Sequence, residues 1–349
     1  MRKRGILLIT GIMSISVVLT GCFQGEQSLE KVDPPQDTQE VNGTDSTATE
    51  EGKEAAEEKT VVTQLFLIDS NGMVVPQAVE LPATQEVAAQ ALEYLVKDGP
   101  VTQHLPNGFQ AVLPAGTEIL GLDLQEDGTM IVDVSSEFEN YKSEEELEIL
   151  QAMTYTLTQY DSVNKIKLRV NGYPLDEMPV NGTPLSDGYS RVNGINIFQT
   201  DTIDYLNSEP VTMYYPTSHD DTSYFVPVTQ YIEMNATNQY ESIVSALIEG
   251  PQYNTNMMQV FSSSVSLMEE PQLNDGVLKL VFNDEILKDK EKATISDDVV
   301  ETLVRTFTEN AEIKAVDVNV GQLEQIFNEA GEAYTEPVTK QMVTPAEKL

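Results

Sequence analysis

Blocks of apolar and polar residues predict a regular series of strands and helices along this chain. The run "VVTQLFLI" begins at Val61 and has the length of a strand, and "GMVVPQAVEL" follows it after Asn71-Gly72, a pair typical of hairpin turns. The next segment, "TQEVAAQALEYLVKDGP", spaces its apolar residues by three and four, which predicts an amphipathic helix that ends at Gly99-Pro100.

A second hairpin, a second helix and a further strand follow. "TEILGLDLQEDGTMIVDV" alternates on both sides of Asp127-Gly128, which predicts a hairpin. Ser143 and Glu146 have the spacing of a capping box at a helix start. The apolar spacing of this helix predicts an inward face made of Leu147, Leu150, Met153, Thr154 and Leu157. An alternating strand then covers residues 166–170.

The same order of elements recurs in the second half of the chain. Gly250-Pro251 repeats Gly99-Pro100 at an offset of 151 residues, and Asp275-Gly276 repeats Asp127-Gly128 at an offset of 148. Landmarks that recur in order at a nearly constant offset indicate two copies of one unit. The predicted fold is therefore α+β with two tandem repeats. The predicted boundaries are 61–191 and 209–335 for the repeats, 192–208 for the linker and 336–349 for the tail.

The N-terminus has the layout of a secretory signal peptide. Arg2, Lys3 and Arg4 precede an apolar stretch at residues 6–19 that is short for a membrane span. The following Leu-Thr-Gly-Cys resembles the lipobox of bacterial lipoproteins. That resemblance implies a signal peptide at residues 1–21, cleavage between Gly21 and Cys22, and a diacylglycerol and an N-acyl chain (palmitate-type lipid) on Cys22. A catalytic role for this thiol would need a neighbouring base and a pocket.

Charge and cysteine content restrict the function further. The chain has 57 acidic and 20 basic residues, a net charge of −37, and Cys22 is its single cysteine. This balance excludes a basic nucleic-acid footprint and leaves the acyl anchor as the expected membrane contact. Residues 24–59 hold eleven acidic and three basic residues with little apolar surface, so residues 22–60 are predicted to be an acidic disordered tether.

Both copies resemble GerMN domains, which occur in sporulation and germination lipoproteins of endospore-forming bacteria. In the first copy, four stretches carry the resemblance: "ALEYLVKDGP" (91–100), "VLPAGTEIL" (112–120), "GTMIVDVSSEF" (128–138) and "YTLTQYDSVNKIKLRVNG" (155–172). In the second copy it rests on "VSALIEGP" (244–251), "GVLKLVFNDEIL" (276–287) and residues 313–321. The second copy has no counterpart of Leu-Pro-Ala-Gly near residues 261–264, so the two copies are expected to present different surfaces.

The resemblance implies a fold, a function and a location. Each repeat would be a small mixed sheet with two helices on one face, similar to ring-building motifs of secretion systems. The protein would be a scaffold or assembly protein of the sporulation envelope, anchored by lipid on the extracytoplasmic side of the cell membrane, in the space between mother cell and forespore. Its partners would be proteins of the envelope complex, with homo-oligomers as a further expectation. A covered sheet also leaves edge strands free for pairing with another protein.

The two histidines are the candidate metal ligands of the chain. His219-Asp220-Asp221 is the most suggestive cluster, but its polar context favours a solvated turn, and His104 lies in a similar loop. Asp123, Gln125, Asp127 and Gly128 mimic the start of an EF-hand loop, yet position twelve is Val134, where a bidentate Glu is needed. No metal or other cofactor is therefore predicted.

Hydrolysis or binding of cortex peptidoglycan during germination is the enzymatic alternative. Asp133 and Glu137 could form a carboxylate pair near a strand end. The chain has no Trp to bind sugar rings, so Tyr214, Tyr215, Tyr224 and Phe225 would have to serve, although they fit a core equally well. A solute-binding lipoprotein is a third interpretation that tandem strand-rich copies fit poorly. The main prediction is a scaffold without catalytic residues.

Overall fold

The computed structural model describes residues 60–100, 105, 107–197, 208–220, 222–235, 237–251 and 256–343. The predicted signal peptide, Cys22 and nearly all of the acidic tether lie outside the described residues, as do His104 and Asp221. Within the described part of the chain, no helix is both long and apolar enough to cross a membrane.

The first repeat contains a long hairpin, two helices and a small mixed sheet. In chain order its elements are β1 (Thr60–Ile68), β2 (Val74–Pro82), α1 (Val87–Glu93), β3 (Ile119–Leu124), β4 (Thr129–Val134), α2 (Glu146–Leu157), β5 (Lys165–Val170), β6 (Tyr173–Pro174) and β7 (Tyr189–Ser190). The sheet order is β3-β4-β5-β6, with β7 also paired to β5. The β4–β5 pair is parallel, because α2 crosses between the two strands.

The second repeat follows the same plan with longer hairpin strands. Its elements are β8 (Ser208–His219), β9 (Thr222–Glu233), α3 (Gln239–Glu249), β10 (Gln272–Asn274), β11 (Val277–Phe282), β12 (Leu287–Asp289), β13 (Thr294–Ile295), α4 (Asp297–Phe307), β14 (Ala315–Val320), β15 (Val338–Thr339) and α5 (Lys340–Val343). The sheet order is β10-β11-β14-β15, and β11 pairs with β14 in parallel. The predicted α+β class with two tandem repeats is thus confirmed.

Helix α2 lies between the sheet and the β1–β2 hairpin. Every residue from Ile149 to Leu157 is buried, which requires packing on both sides of the helix rather than along one stripe. One side contacts β5 and β7, and the other contacts β1 and β2. The hairpin is therefore a third layer that covers the helix, and the repeat encloses α2 completely over its last two and a half turns.

Matching threonines join each buried helix to the outer edge of its hairpin. The Phe66 N–H on β1 donates a hydrogen bond to Thr156 Oγ1 on α2 over 3.0 Å. The Tyr214 N–H on β8 donates to Thr306 Oγ1 on α4 over 3.1 Å. Because buried backbone N–H groups need acceptors, these threonines satisfy strand edges that would otherwise be unpaired.

The start of α2 differs from the prediction. A short 3-10 turn occupies Ser143–Glu145, and the Lys142 N–H donates to Glu145 Oε2 over 2.9 Å, so the reciprocal bond involves Glu145 instead of Glu146. Leu147 is 46% exposed and does not face inward. Glu146 is fully buried instead, because its carboxylate accepts hydrogen bonds from the loop at residues 181–183. In the second repeat, Asn238 caps α3 as an acceptor for the Tyr240 N–H.

Candidate interaction surfaces and the junction between the repeats

His219 lies at the tip of the β8–β9 hairpin and contacts the first repeat. Its Nδ1 is 3.1 Å from Ser70 Oγ, and its Nε2 is 3.8 Å from Asp220 Oδ2. The ring also lies against Gly108, where an added Cβ would come within 2.4 Å of His219 Cδ2. Among the described residues, no group of three or more His, Cys, Asp or Glu is placed to hold a metal ion. The His219 ring therefore serves as a contact between repeats.

The turn that resembles the start of a calcium loop is a hairpin turn. Asp127 Oδ1 accepts a hydrogen bond from the Thr129 N–H over 3.0 Å, and its other oxygen lies 3.6 Å from Lys165 Nζ. The hydrogen bonds from Thr129 lower the pKa of Asp127. Gly128 follows with φ of +79°, a conformation that favours glycine.

The two carboxylates of the hydrolase alternative have separate structural roles. Asp133 Oδ1 accepts a hydrogen bond from the Gly172 N–H over 2.9 Å on the outer side of the sheet. Glu137 lies exposed in a 3-10 turn, where the hydrogen bond from Ser135 lowers its pKa. A general acid in glycoside hydrolysis needs a raised pKa, so Glu137 is poorly suited to that role.

The four aromatic residues of the same alternative are buried. Tyr214, Tyr215, Tyr224 and Phe225 all belong to the hydrophobic interior. The Tyr214 hydroxyl donates to Glu309 Oε1 over 2.6 Å, and the Tyr224 hydroxyl donates to Asp69 Oδ2 over 2.8 Å. Of their two earlier interpretations, the structure therefore favours core residues over an exposed platform for sugar rings.

An ion-pair network joins the end of the first repeat to the end of α4. Arg191 Nη1 lies 2.7 Å from Glu309 Oε2, and Arg191 Nε donates to Thr158 Oγ1 over 2.8 Å. The guanidinium carbon stands 4.4 Å from the centre of the Tyr155 ring, a cation–π contact. Glu309 Oε1 also lies 3.4 Å from Lys340 Nζ. One carboxylate thus gathers groups from both repeats and from α5.

The environment of Glu309 strongly favours its ionised form. Burial alone would raise its pKa, but the charges of Arg191 and Lys340 and the hydrogen bond from Tyr214 hold the pKa at about 2. Burial raises the pKa of the Tyr214 hydroxyl, and the negative charge of Glu309 adds to that effect. A low pKa for a mostly buried carboxylate is the signature of a well-compensated ion pair.

Asn196, in the predicted linker, bridges the two hairpins. Its Nδ2 donates to the Val74 carbonyl over 2.7 Å and to the Pro227 carbonyl over 2.8 Å. Its Oδ1 accepts from the Val74 N–H over 2.9 Å. The neighbouring Ile195 is fully buried, and its N–H donates to Thr229 Oγ1 over 2.9 Å. The beginning of the linker is therefore built into the interior, and buried residues of both repeats form one continuous hydrophobic cluster.

Free strand edges are the other candidate surfaces. In the first sheet one terminal strand is β3, which has six residues and an irregular register at Leu120, a side chain that is 49% exposed. In the second sheet the terminal strand is β10, which has only three residues and follows Pro271. Short edge strands with nearby proline resist pairing with other chains, so β3 is the edge better suited to a partner.

Sequence reasoning missed the junction because its contacts are remote in the chain. Arg191 and Glu309 are separated by 118 residues, and Asn196 and Val74 by 122. No local spacing marks such pairs. The one available signal was an isolated Arg at the last position of the predicted first repeat in a strongly acidic chain.

The fold and junction define a class of protein in which two α+β repeats, each with an enclosed second helix, are joined through a partly buried polar network. The family model described as "Germane: Sporulation and spore germination" matches this chain twice, at residues 64–176 and 212–324. The chain belongs to this family of sporulation and spore germination proteins.

A known protein and a solved structure are similar to the chain over most of its length. It is 41% identical to "Spore germination protein GerM" of Bacillus subtilis (strain 168), over 97% of this chain and 98% of that protein. It is also similar to the solved structure "Tandem GerMN domains of the sporulation protein GerM from Bacillus subtilis", with a TM-score of 0.76 and 43% identity, over 80% of this chain and 97% of the other. Both names refer to sporulation or germination, and neither states an enzymatic activity.

Proposed function

We propose that this protein is a lipid-anchored scaffold of the sporulation envelope that presents its two repeats to partner proteins as one rigid unit. The observation that carries the proposal is the partly buried junction of Arg191, Asn196 and Glu309. Because the orientation of the repeats is already fixed, both can contact one partner without the entropic cost of ordering a flexible linker on binding. The lipobox-like N-terminus supports the location on the extracytoplasmic face of the membrane, and the family match supports the connection to sporulation.

The strand β3 is the proposed partner-binding edge. A partner strand added beside β3 would gain main-chain hydrogen bonds, and Leu120 would supply an apolar contact. Crosslinking and affinity capture from sporulating cells, comparing the unaltered chain with Leu120→Lys, tests this. We expect Leu120→Lys to lose specific crosslinked envelope proteins, whereas Leu323→Lys, a matched change of an exposed leucine in the second repeat, keeps them. An unchanged set of crosslinked proteins in Leu120→Lys would contradict the edge.

Membrane anchoring is tested through Cys22. We expect Cys22→Ala to yield an unprocessed precursor or a protein shed from the membrane, because the acyl chains supply the anchor. If Cys22→Ala left membrane retention and protein mass unchanged, the lipid anchor would be contradicted. Residues 24–349 are also expected to release no muropeptides from purified cortex. Release that a single carboxylate substitution abolishes would establish the hydrolase alternative instead.

A further inference from the structure

Six Asn-Gly pairs occur in the sequence, and five of them lie within the described part of the chain. These five pairs begin at exposed asparagines, namely Asn71, Asn107, Asn171, Asn181 and Asn193. The sixth, Asn42-Gly43, lies outside the described residues. Because glycine has no side chain, the backbone nitrogen that follows such an asparagine is sterically open to reach the side-chain amide of that asparagine. Sequence and exposure alone therefore do not rank the five pairs.

The hydrogen bonds of the glycine N–H groups do rank the pairs. Four of these groups donate a hydrogen bond: Gly72 to the Asp69 carbonyl (3.0 Å), Gly172 to Asp133 Oδ1 (2.9 Å), Gly182 to the Met178 carbonyl (3.0 Å) and Gly194 to the Arg191 carbonyl (2.9 Å). Gly108 is the exception. Neither its N–H nor the side-chain amide of Asn107 makes a hydrogen bond to another described residue.

A hydrogen bond to the glycine N–H protects an Asn-Gly pair from reaction. To attack the side-chain amide, the glycine nitrogen must lose its proton and turn toward the asparagine Cγ. A nitrogen whose N–H is held in a hydrogen bond does so only after that bond has opened, and each opening has a free-energy cost. The Gly108 nitrogen does not need this step. Asn107-Gly108 is therefore the pair in the described structure that is best placed to react.

Asn107-Gly108 also lies at a contact between the two repeats. The His219 ring of the second repeat rests on Gly108, where an added Cβ would come within 2.4 Å of His219 Cδ2. The next residue, Phe109, is buried, and its ring centre lies 5.0 Å from that of Tyr224 in the second repeat. A chemical change at Asn107 therefore acts directly on the packing between the repeats.

We propose that Asn107 is a site of spontaneous deamidation and that its isoaspartyl product breaks the contact between Gly108 and His219. The reaction needs only water, so the modified fraction increases with the time that has passed since synthesis. The proposal goes beyond the scaffold function and does not depend on it, because the contact lies within one chain and involves neither a membrane nor a partner.

The reaction balances without an oxidant or a cofactor. The Gly108 nitrogen forms a bond to Asn107 Cγ while the bond from Cγ to Nδ2 breaks, so that ammonia leaves with the proton of the Gly108 N–H and a cyclic imide remains. Water then opens the imide. Addition of water at the main-chain carbonyl of Asn107 gives isoaspartate, in which Gly108 is joined to Cγ and the main chain is longer by one carbon. Addition at Cγ gives ordinary aspartate.

An isoaspartyl residue does not fit the contact with His219. The extra carbon lies directly before Gly108, while Gln110 on the other side is held by two backbone hydrogen bonds to Ile68, over 2.8 and 2.9 Å. The longer chain must therefore bulge at Gly108, where the His219 ring leaves no room for even one added carbon. Gly108 and the His219 ring are expected to separate as a result.

Peptide mapping of aged protein tests the site of the reaction. Residues 24–349 are incubated in mildly alkaline buffer, and mass spectrometry follows the deamidated and isoaspartyl fractions at each Asn-Gly pair. We expect Asn107 to react at least about tenfold faster than the other four described asparagines, a ratio that corresponds to one hydrogen bond that need not open first. In urea-unfolded protein, where no N–H is held, the five rates are expected to converge. A rate at Asn107 no faster than at the other four pairs of the folded protein, or the same ranking after unfolding, would overturn the proposal.

The imidazole NMR signals of His219 test the consequence of the reaction. The chain has two histidines, so a His104→Gln variant identifies the His219 signals. As isoaspartate accumulates at Asn107, a second set of His219 signals is expected to grow in the same proportion. Asn107→Gln should keep a single set, because the longer side chain forms a cyclic imide far more slowly.

The matched control is Asn181→Gln, which changes an exposed asparagine whose following N–H is held in a hydrogen bond. This variant should still develop the second set of His219 signals, and amide spectra check that both variants remain folded. A His219 spectrum that stays unchanged while isoaspartate forms at Asn107 would overturn the loss of the contact. A second set that also appears in Asn107→Gln would overturn it as well, because the change at His219 would then have another origin.

Discussion

The position that follows the second helix holds Gln159 in the first repeat and Glu309 in the second, 150 residues later. Gln159 stays within its own repeat, because its side chain both donates to and accepts from the backbone of Gln64. Glu309 instead draws Arg191 across from the first repeat. The amide at this position therefore makes a contact with the hairpin of its own repeat, whereas the carboxylate at the equivalent position forms the junction between the two repeats.

The same contrast occurs at the start of the second helix. In the first repeat the helix supplies the carboxylate, and Glu146 accepts hydrogen bonds from the Asn181 N–H, the Thr183 N–H and the Thr183 hydroxyl. In the second repeat both sides supply a carboxylate, since Ser296 Oγ donates to Glu329 Oε1 over 2.9 Å and the Glu329 N–H donates to Asp297 Oδ1 over 3.2 Å. The helix-to-loop connection is kept while its polar partners differ. Shared backbone geometry thus tolerates different polar contacts.

Removal of the junction cation is expected to have the largest effect. Arg191→Met leaves the mostly buried Glu309 without its main partner, which is expected to lower the free energy of unfolding by about 3 kcal/mol. Urea denaturation measures the change. The double variant Arg191→Met/Glu309→Gln removes both charges and is expected to recover most of the loss. A double variant that is as unstable as the sum of its two single variants would argue against coupling across the junction.

The pH dependence of stability isolates Glu309. Its pKa is lowered from 4.5 to about 2 in the folded protein. The contribution of the Glu309 carboxylate to the free energy of unfolding is therefore fully present above about pH 4.5. It is lost as the pH falls toward 2, because the unfolded state takes up the proton first. Unfolding curves between pH 6 and 2 for the unaltered chain and for Glu309→Gln should converge as the pH falls. Parallel curves would mean that the carboxylate is not stabilised by the fold.

Loss of the Glu146 carboxylate is expected to cost more than loss of its counterpart in the second repeat. Glu146→Ala leaves two backbone donors and the Thr183 hydroxyl without their acceptor inside the protein, a loss of about 2 kcal/mol. Ser296→Ala removes one hydrogen bond at a partly exposed site and should cost about 1 kcal/mol or less. Chemical denaturation of both variants gives the comparison, and equal losses would remove the distinction between the two helix starts.

The smallest expected effects are at the paired threonines. Thr156→Val and Thr306→Val keep the side-chain volume but leave the Phe66 and Tyr214 N–H groups unsatisfied, at about 1 kcal/mol each. Since these contacts are equivalent in the two repeats, similar losses are expected in thermal or urea unfolding. A difference of several-fold would show that the two hairpins depend on their helices unequally.

The order of strands and helices in both repeats could be predicted from the sequence, because each element is marked by a local pattern of residues. Alternating strands, Gly-containing turns and helical spacing specified the order of the main elements in both copies, and the central strands and the other long helices lie close to where those patterns predict them. Helix α1 is an exception, because it ends at Glu93, six residues before the predicted stop at Gly99-Pro100. Sequence spacing gave wrong predictions of burial where tertiary contacts determine which side chain faces inward. Leu147 has the spacing of a core residue but is exposed, because Glu146 turns inward to bind the loop at 181–183.

The junction could not be derived from the sequence. Its polar groups are brought together from segments more than one hundred residues apart, and in the sequence alone Asn196 resembles an ordinary linker residue.

The central claim is that the two repeats form one rigid body, and a distance measurement between them tests it most directly. Spin labels at Glu126→Cys and Glu291→Cys in residues 24–349 place one probe on an exposed site of each repeat. Pulsed electron–electron double resonance is expected to give a single narrow distribution of distances between the labels. This distribution is expected to broaden in the double variant Arg191→Met/Asn196→Ala. A broad distribution in the otherwise unaltered chain, typical of two units on a flexible linker, would contradict the claim.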